Sequence, residues 1–455
     1  MKQQIRLSDH FTYRKLLRFV LPSIIMMIFT SIYGVVDGLF VSNFAGKTAF
    51  AAINLVMPFI MVLGGIGFMI GTGGTALVSK TLGEGQQEEA NRYFSMMILF
   101  TALLGVLLAV FGVVCMRPVA QFLGATPEML DDCVRYGRIV IAFTGAFMLQ
   151  NVFQSFLIAA EKPKLGLAAT VAAGVTNMAL DALFVAGFRW GIAGAAEATL
   201  IAQFISVVYC FFTIRKLTLL HPRRKDLRLE VELSGQLMLL GLPMAFQNFI
   251  IAIGSMIVQR LINSFGVIFI AGFTATNKLY GVLEIAATSY GFAMVTYTGQ
   301  NLGANQPKRI REGLKAGVII ALITSTVLGA ILILLGKPLL SLFISGTEEE
   351  ISQTLAIAYH SLSIMSVCLP ILYVLYVLRS TLQGLGDTVS PMLSGVAEFA
   401  MRTGCVLLLP LWLGAEGIFY AEVLAWTGAD LVLIPSCIWA LRHRLTKSDD
   451  TKRNL

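Results

Sequence analysis

The chain has 455 residues, 56% of them hydrophobic and only 13% charged, with a formal net charge of +8 and a mean hydropathy of +0.78. A soluble protein of this length carries about a quarter charged residues, so the composition excludes a soluble enzyme and describes an integral membrane protein. The six cysteines contain no CxxC pair and mostly sit in apolar stretches as small hydrophobes, and the four histidines form no metal-ligand cluster.

Apolar windows near the ~20 residues needed to cross a bilayer recur along the whole chain. They fall at about 16–40, 51–78, 94–116, 138–160, 165–187, 191–214, 236–260, 267–297, 314–335, 354–384, 391–413 and 417–441. The expected fold is an all-α integral membrane protein, twelve transmembrane helices in two pseudo-twofold six-helix bundles. The first stretch is too long for a signal h-region and lacks a small-residue cleavage site, so it is expected to remain as the first span. It carries Asp37 deep in apolar sequence, where an ionised side chain costs at least ~3 kcal/mol. The second stretch runs through Gly64, Gly65, Gly71 and Gly74, which predicts close helix packing. The fifth holds Asn177 and Asp181, four apart and so on one helix face; the sixth holds Glu197 and Thr199.

A polar stretch rich in Arg and Lys follows, and divides the chain into an amino-terminal lobe (1–214), a basic linker (215–235) and a carboxy-terminal lobe (236–455). The second half places Lys278, Glu284, Arg379, Glu398, Arg402, Glu422 and Asp430 within or at the edge of apolar stretches, and Glu398 and Arg402 stand at i,i+4 in the favourable order. Pro22, Pro58, Pro243 and Pro370 interrupt backbone ladders and predict local bends. With both termini cytoplasmic, the great majority of Lys and Arg fall on inside connections, including Arg14, Lys15, Arg223, Lys308 and Arg442. A basic inner face against anionic lipid accounts for the net charge without nucleic acid.

The halves repeat. Leu21-Pro22 opens the first apolar stretch and Leu242-Pro243 the seventh. Lys80-Thr81-Leu82-Gly83-Glu84-Gly85 closes the second and Gln300-Asn301-Leu302-Gly303-Ala304-Asn305 the eighth. Gly191-Ile192-Ala193-Gly194 and Gly414-Ala415-Glu416-Gly417 mark the sixth and twelfth. Each repeat has an even number of spans, so the two are parallel, related by an axis along the membrane normal. Aligning them sets Arg402 against Asn177 and Glu422 against Thr199.

With these motifs, Asp37, Asn177-Asp181, Gly194-Ala195-Ala196-Glu197-Ala198-Thr199 and the turn Gln383-Gly384-Leu385-Gly386-Asp387, the chain resembles the multidrug and toxic compound extrusion (MATE) family over nearly its whole length. The resemblance implies a cation-coupled antiporter, with H⁺ or Na⁺ as coupling ion, that exports amphipathic and often cationic small molecules by alternating access. It implies a cation site of Asp37, Asn177, Asp181 and Thr199. One branch of the family carries an acid in the seventh span; Gln247-Asn248-Phe249-Ile250-Ile251 has none here, a pattern closer to the bacterial branches that include the DNA-damage-inducible type.

The chemistry fits. Carboxylate, amide and hydroxyl oxygens are hard ligands suited to Na⁺ or a shared proton, and two nearby carboxylates oppose joint ionisation. Glu197, Lys278, Glu284, Glu398, Arg402 and Glu422 are candidates for substrate contact or gating, or for a salt-bridge network within a lobe. The other reading within the same superfamily is a flippase of lipid-linked precursors, which needs a basic cavity; a channel or membrane enzyme is disfavoured, since neither a nucleophile–base pair nor a phosphate loop is evident. No cofactor is expected. The expected setting is a monomer in the cell inner membrane, meeting drugs or metabolites and lipid.

Overall fold

The computed structural model describes residues 21–26, 29–30, 34, 36–37, 40–45, 47–215, 220, 222–223, 226–227, 230–344 and 347–443. Among the described residues every regular element is a helix. The described residues between 21 and 40 are helical (α1) and lead into a π-helical turn, Val41–Ala45. Then come α2 (Lys47–Gly83), α3 (Gln87–Phe122), α4 (Pro127–Ala142), α5 (Thr144–Ala159), α6 (Pro163–Asp181), a second π turn (Ala182–Gly187) and α7 (Gly191–Arg215). The second half supplies α8 (Val231–Ile262), α9 (Val267–Gly303), α10 (Pro307–Ser341), α11 (Glu348–Gly384), α12 (Val389–Leu408) and, after a short 3₁₀ stretch (Gly414–Tyr420), α13 (Ala421–His443).

Eight of the described helical segments are long and apolar enough to cross a membrane, or nine if the bent pair α4–α5 is one span. One of the eight, Val389–His443, contains both α12 and α13. The bend of 51° between α4 and α5 falls at Phe143, where there is no proline, whereas α8 and α11 continue through Pro243 and Pro370. Large apolar side chains stand exposed along α3 and α10, among them Val106, Leu107, Val110, Leu334 and Leu335, as the lipid-facing side of a spanning helix requires.

The chain forms two compact units, Leu21–Gly241 and the described residues from Leu242 onward. The repeat seen in the sequence is reproduced in the backbone of each. Left-handed residues occur at matching places: Gly85 (φ 80°) and Asn305 (φ 52°), Glu161 (φ 62°) and Gly386 (φ 76°), Gly191 (φ 60°) and Gly414 (φ 60°). The hydrogen bonds that close the helix before each of the first two pairs also match. Gly85 N donates to Leu82 O and Gln86 N to Thr81 O, as Asn305 N does to Leu302 O and Gln306 N to Asn301 O. Asn is among the few side-chain-bearing residues that visit this region readily, so Asn305→Val should cost about 1–2 kcal/mol and Asn305→Gly far less. Thermal unfolding in detergent would order the three proteins, and equal midpoints for Val and Gly would refute the assignment.

Helix crossings repeat as well. A Cβ on Gly105 would lie 2.4 Å from Gly145 Cα, and one on Gly329 would lie 2.4 Å from Ser366 O. Gly71 faces Ser155 as Gly291 faces Ser380, with Cβ-to-Oγ separations of 2.8 and 2.6 Å. Small residues at the same crossings let α3 meet α5, and α10 meet α11, at backbone distance. Where Gly74 accommodates Met97 in the first unit, Gly317 accommodates Met294 in the second, with the glycine and methionine exchanged between partner helices.

The basic stretch after α7 is fastened to the first unit. Leu220 is buried at 1% exposure, Arg223 N donates to Ser95 Oγ (3.0 Å), the Arg223 guanidinium pairs with Glu88 (2.9 Å), and Arg92 pairs with Glu230.

Candidate functional site

Asn177 and Asp181 lie one turn apart on α6, both buried, at 2% and 0% exposure. The helix packs on α7, and Asn177 Nδ2 donates to Thr199 Oγ1 there at 3.5 Å. That bond leaves the Asn177 Oδ1 as an acceptor and the Thr199 hydroxyl proton as a donor. Asp37, on α1, lies within hydrogen-bonding reach of Asp181. Each acid sits just before a π-helical turn: Asp37 precedes Val41–Ala45 and Asp181 directly precedes Ala182–Gly187, and the two turns pack together through buried Val41 and Val185. Such wide turns recur at functional positions in helices.

The pair has a defining deficiency. Asp37 Oδ1 and both Asp181 oxygens are buried and accept no hydrogen bond. Two ionised carboxylates are acceptors only and cannot satisfy one another. A buried charge in this state is costly, and a proton shared between them, or a small cation held by them, removes the deficit. The phenol of Tyr136 on α4, 2% exposed, lies near both acids. Sequence reasoning missed it, because nothing in the spacing along α4 links it to α1 or α6. Among the described residues no group of three or more His, Cys, Asp or Glu is placed to hold a metal ion; carboxylate, amide and hydroxyl oxygens are hard donors. Glu197 is half-buried on α7, and no hydrogen bond or ion pair ties it to these residues.

In the second unit Glu398 and Arg402 do pair, at 3.0 Å, but as part of a larger network. Arg402 also makes a two-pronged bond to Glu422 on α13, with Nε–Oε1 3.0 Å and Nη2–Oε2 2.7 Å. Arg379 on α11 binds the other oxygen of Glu398 at 2.9 Å and is braced by Ser394. Two guanidinium groups thus neutralise two carboxylates, with Arg379, Glu398 and Arg402 each under a tenth exposed. Glu284 on α9 stands beside this quartet and accepts from Tyr376 Oη at 2.8 Å. Asp430 lies near Arg379 and Glu398, and its Oδ1 has no donor. Lys278, grouped with these charges on sequence, is not among them: it is exposed, its ammonium 5.6 Å from the centre of the Phe343 ring. At 3.6 residues per turn, the six residues between Lys278 and Glu284 put the two on different faces of α9.

The pairing follows the repeat. Asn177 meets Thr199 in the first unit, and their counterparts Arg402 and Glu422 meet in the second. The offset that matches Pro22 with Pro243 sets Asp37 against Val258, and the offset that matches Asn177 with Arg402 sets Asp181 against Val406. Both valines belong to one apolar cluster with Ile262, Phe269 and Phe419.

A helical, multi-span membrane protein built as a duplicated bundle, with a bare pair of acids in one half, has the architecture of a membrane transporter. The MatE family model matches the chain twice, at residues 22–183 and 243–403, so each repeat is matched from its opening proline, and the chain belongs to the MatE family. It is 25% identical to the probable multidrug resistance protein YoeA of Bacillus subtilis (strain 168), over 77% of each chain, and 21% identical to the multidrug export protein MepA of Staphylococcus saprophyticus, over 95% of each. Its fold superposes on the outward-facing structure of a multidrug resistance MATE family transporter of the MOP superfamily with a TM-score of 0.88, at 19% identity and 99% coverage of both.

Proposed function

We propose that this chain is a cation-coupled antiporter that exports amphipathic, often cationic small molecules by alternating access, with Asp37, Asn177, Asp181 and Thr199 as its coupling site. The observation that carries the reading is the donorless pair: three buried carboxylate oxygens of Asp37 and Asp181 accept nothing from the protein. Such a pair favours whichever conformation lets it hold a cation, and a ligand with unequal affinity for two states shifts their balance. The coupling ion is H⁺ or Na⁺. The protein works in the cell membrane, with both termini on the cytoplasmic side as its basic residues require, and as a monomer. MepA is named a multidrug export protein and YoeA a probable multidrug resistance protein, which supports drugs or metabolites as the cargo.

A flippase of lipid-linked precursors is the weaker reading. It calls for exposed positive charge toward a pyrophosphate, whereas Arg379 and Arg402 are engaged by Glu398 and Glu422. The test is efflux by purified protein in vesicles with the pH and Na⁺ gradients imposed separately. One gradient should drive substrate accumulation and the other should not. Transport indifferent to both would reject coupling, and stimulation only by a lipid-linked sugar would favour the flippase.

A further inference from the structure

The second unit has no donorless acid pair at the place equivalent to Asp37 and Asp181. Val258 and Val406 stand there, both buried in apolar contact. Beside them, where the first unit has a neutral amide and hydroxyl, the second has Arg402 locked onto Glu422 and Glu398. Gly254 on α8 packs beside this side chain: a Cβ there would meet Arg402 Nη1 in ordinary contact at 3.7 Å and crowd Phe399 Cδ2 at 3.1 Å. The repeat offset sets Gly254 against Tyr33, so the second half has a glycine where the first has a bulky side chain.

We propose that Arg402 is a tethered cation, a positive charge built into the second unit at the position where the first unit takes up a free one, and that it restricts cation coupling to a single half of the transporter. The inference rests on the coupling reading above. An ion bound from solution can leave when the membrane side changes; a guanidinium on its own chain cannot. The second unit therefore keeps the same charge through the cycle, and the driving gradient acts on the first unit alone. Arg402 is a specificity-determining residue: it fixes how many cations the cycle moves.

The consequence is concrete. Removing the tethered charge leaves Glu422, whose side chain is 17% exposed, without its partner, because Arg379 reaches Glu398 and not Glu422. An uncompensated carboxylate that is largely withdrawn from solvent and set beside Glu284 is then driven toward taking up a proton or Na⁺. The groups that face it from the packed elements are Tyr280 and Glu284 on α9; Glu398 on α12 shares Arg402 with it, Arg379 and Tyr376 on α11 engage Glu398 and Glu284, and Asp430 on its own helix lies toward Arg379.

Cation binding is measured on the purified full-length protein in detergent, as proton uptake in unbuffered solution and as radioactive Na⁺ held at dialysis equilibrium. Arg402→Met should bind about one more cation per molecule than its parent. The gain should appear equally in an Asp37→Asn background, vanish in Arg402→Met/Glu422→Gln, and be absent from Arg402→Lys, which keeps the tethered charge. A folded Arg402→Met with no gain, or a gain that survives Glu422→Gln, overturns the proposal. Should Arg402→Met fold poorly, acid or Na⁺ should restore it, since free cation replaces the lost charge; failure to fold at every pH and Na⁺ concentration overturns the proposal as well. The coupling reading is judged apart from this, by whether Asp37→Asn alone removes the wild-type cation binding.

Discussion

Asp37→Asn should abolish gradient-driven efflux and leave the fold intact. The substitution keeps the shape of the side chain but supplies an amide donor to Asp181, which otherwise has two buried oxygens without one. The deficit that draws in a cation is then filled by the protein itself, and the conformational preference set by the cation is lost. A coupling free energy of ~1–3 kcal/mol corresponds to roughly 5–150-fold, so accumulation against a gradient should fall by at least that lower factor in proteoliposomes. Thermal stability should hold or rise, because a buried charge and an unsatisfied acceptor are removed together. Asp181→Asn should match it, and the double variant should add little, as two members of one site do not act independently. Undiminished gradient-driven efflux by Asp37→Asn would end the proposed role of the pair.

Gly67→Leu should have the largest effect on folding. Gly67 on α2 meets α5 so closely that a Cβ would lie 2.4 Å from Met148 Cα. The obstacle is backbone, which cannot rotate aside as a side-chain tip can, and Met148 is itself fully buried. Overpacking of this kind costs about 1–3 kcal/mol even where side chains can yield, so the loss here should reach or exceed the upper end. Purified yield and unfolding temperature in detergent should both drop. Gly65, two residues earlier, is the internal control: nothing lies within 4 Å of its Cβ position. Gly65→Ala should be neutral or slightly stabilising through its helix propensity. Equal behaviour of the two variants would contradict the packing described.

Much of the first unit's site was legible because its chemistry is written in local spacing. Asn177 and Asp181 are a turn apart on one helix, and an acid such as Asp37 stands out in apolar sequence whatever its neighbours. Tyr136 carried no such mark, since an aromatic in a membrane helix is ordinary, and only the packing of α4 against α2 and α7 brings it to the acids. The Glu398–Arg402 pair was legible for the same reason as Asn177–Asp181. Its extension to Arg379 was not, because that residue arrives from another helix. That Lys278 stands apart from this network was not legible, since charge within an apolar stretch does not disclose the face on which it lies. The break at Phe143 also escaped: the sequence marks bends by proline, and here the chain turns without one.

Apolar length, sidedness of basic residues and duplication are properties of order along the chain, so the sequence by itself determined the membrane class, the helical architecture and the correspondence between halves. Which of two corresponding places is left with donorless acids is a property of three-dimensional neighbours. Contacts among α1, α4, α6 and α7 leave two carboxylates without a donor, and contacts among α11, α12 and α13 close the matching place with guanidinium and apolar side chains. Only the tertiary structure decides that difference, because a buried charge is defined by the groups that surround it and not by its position in the chain.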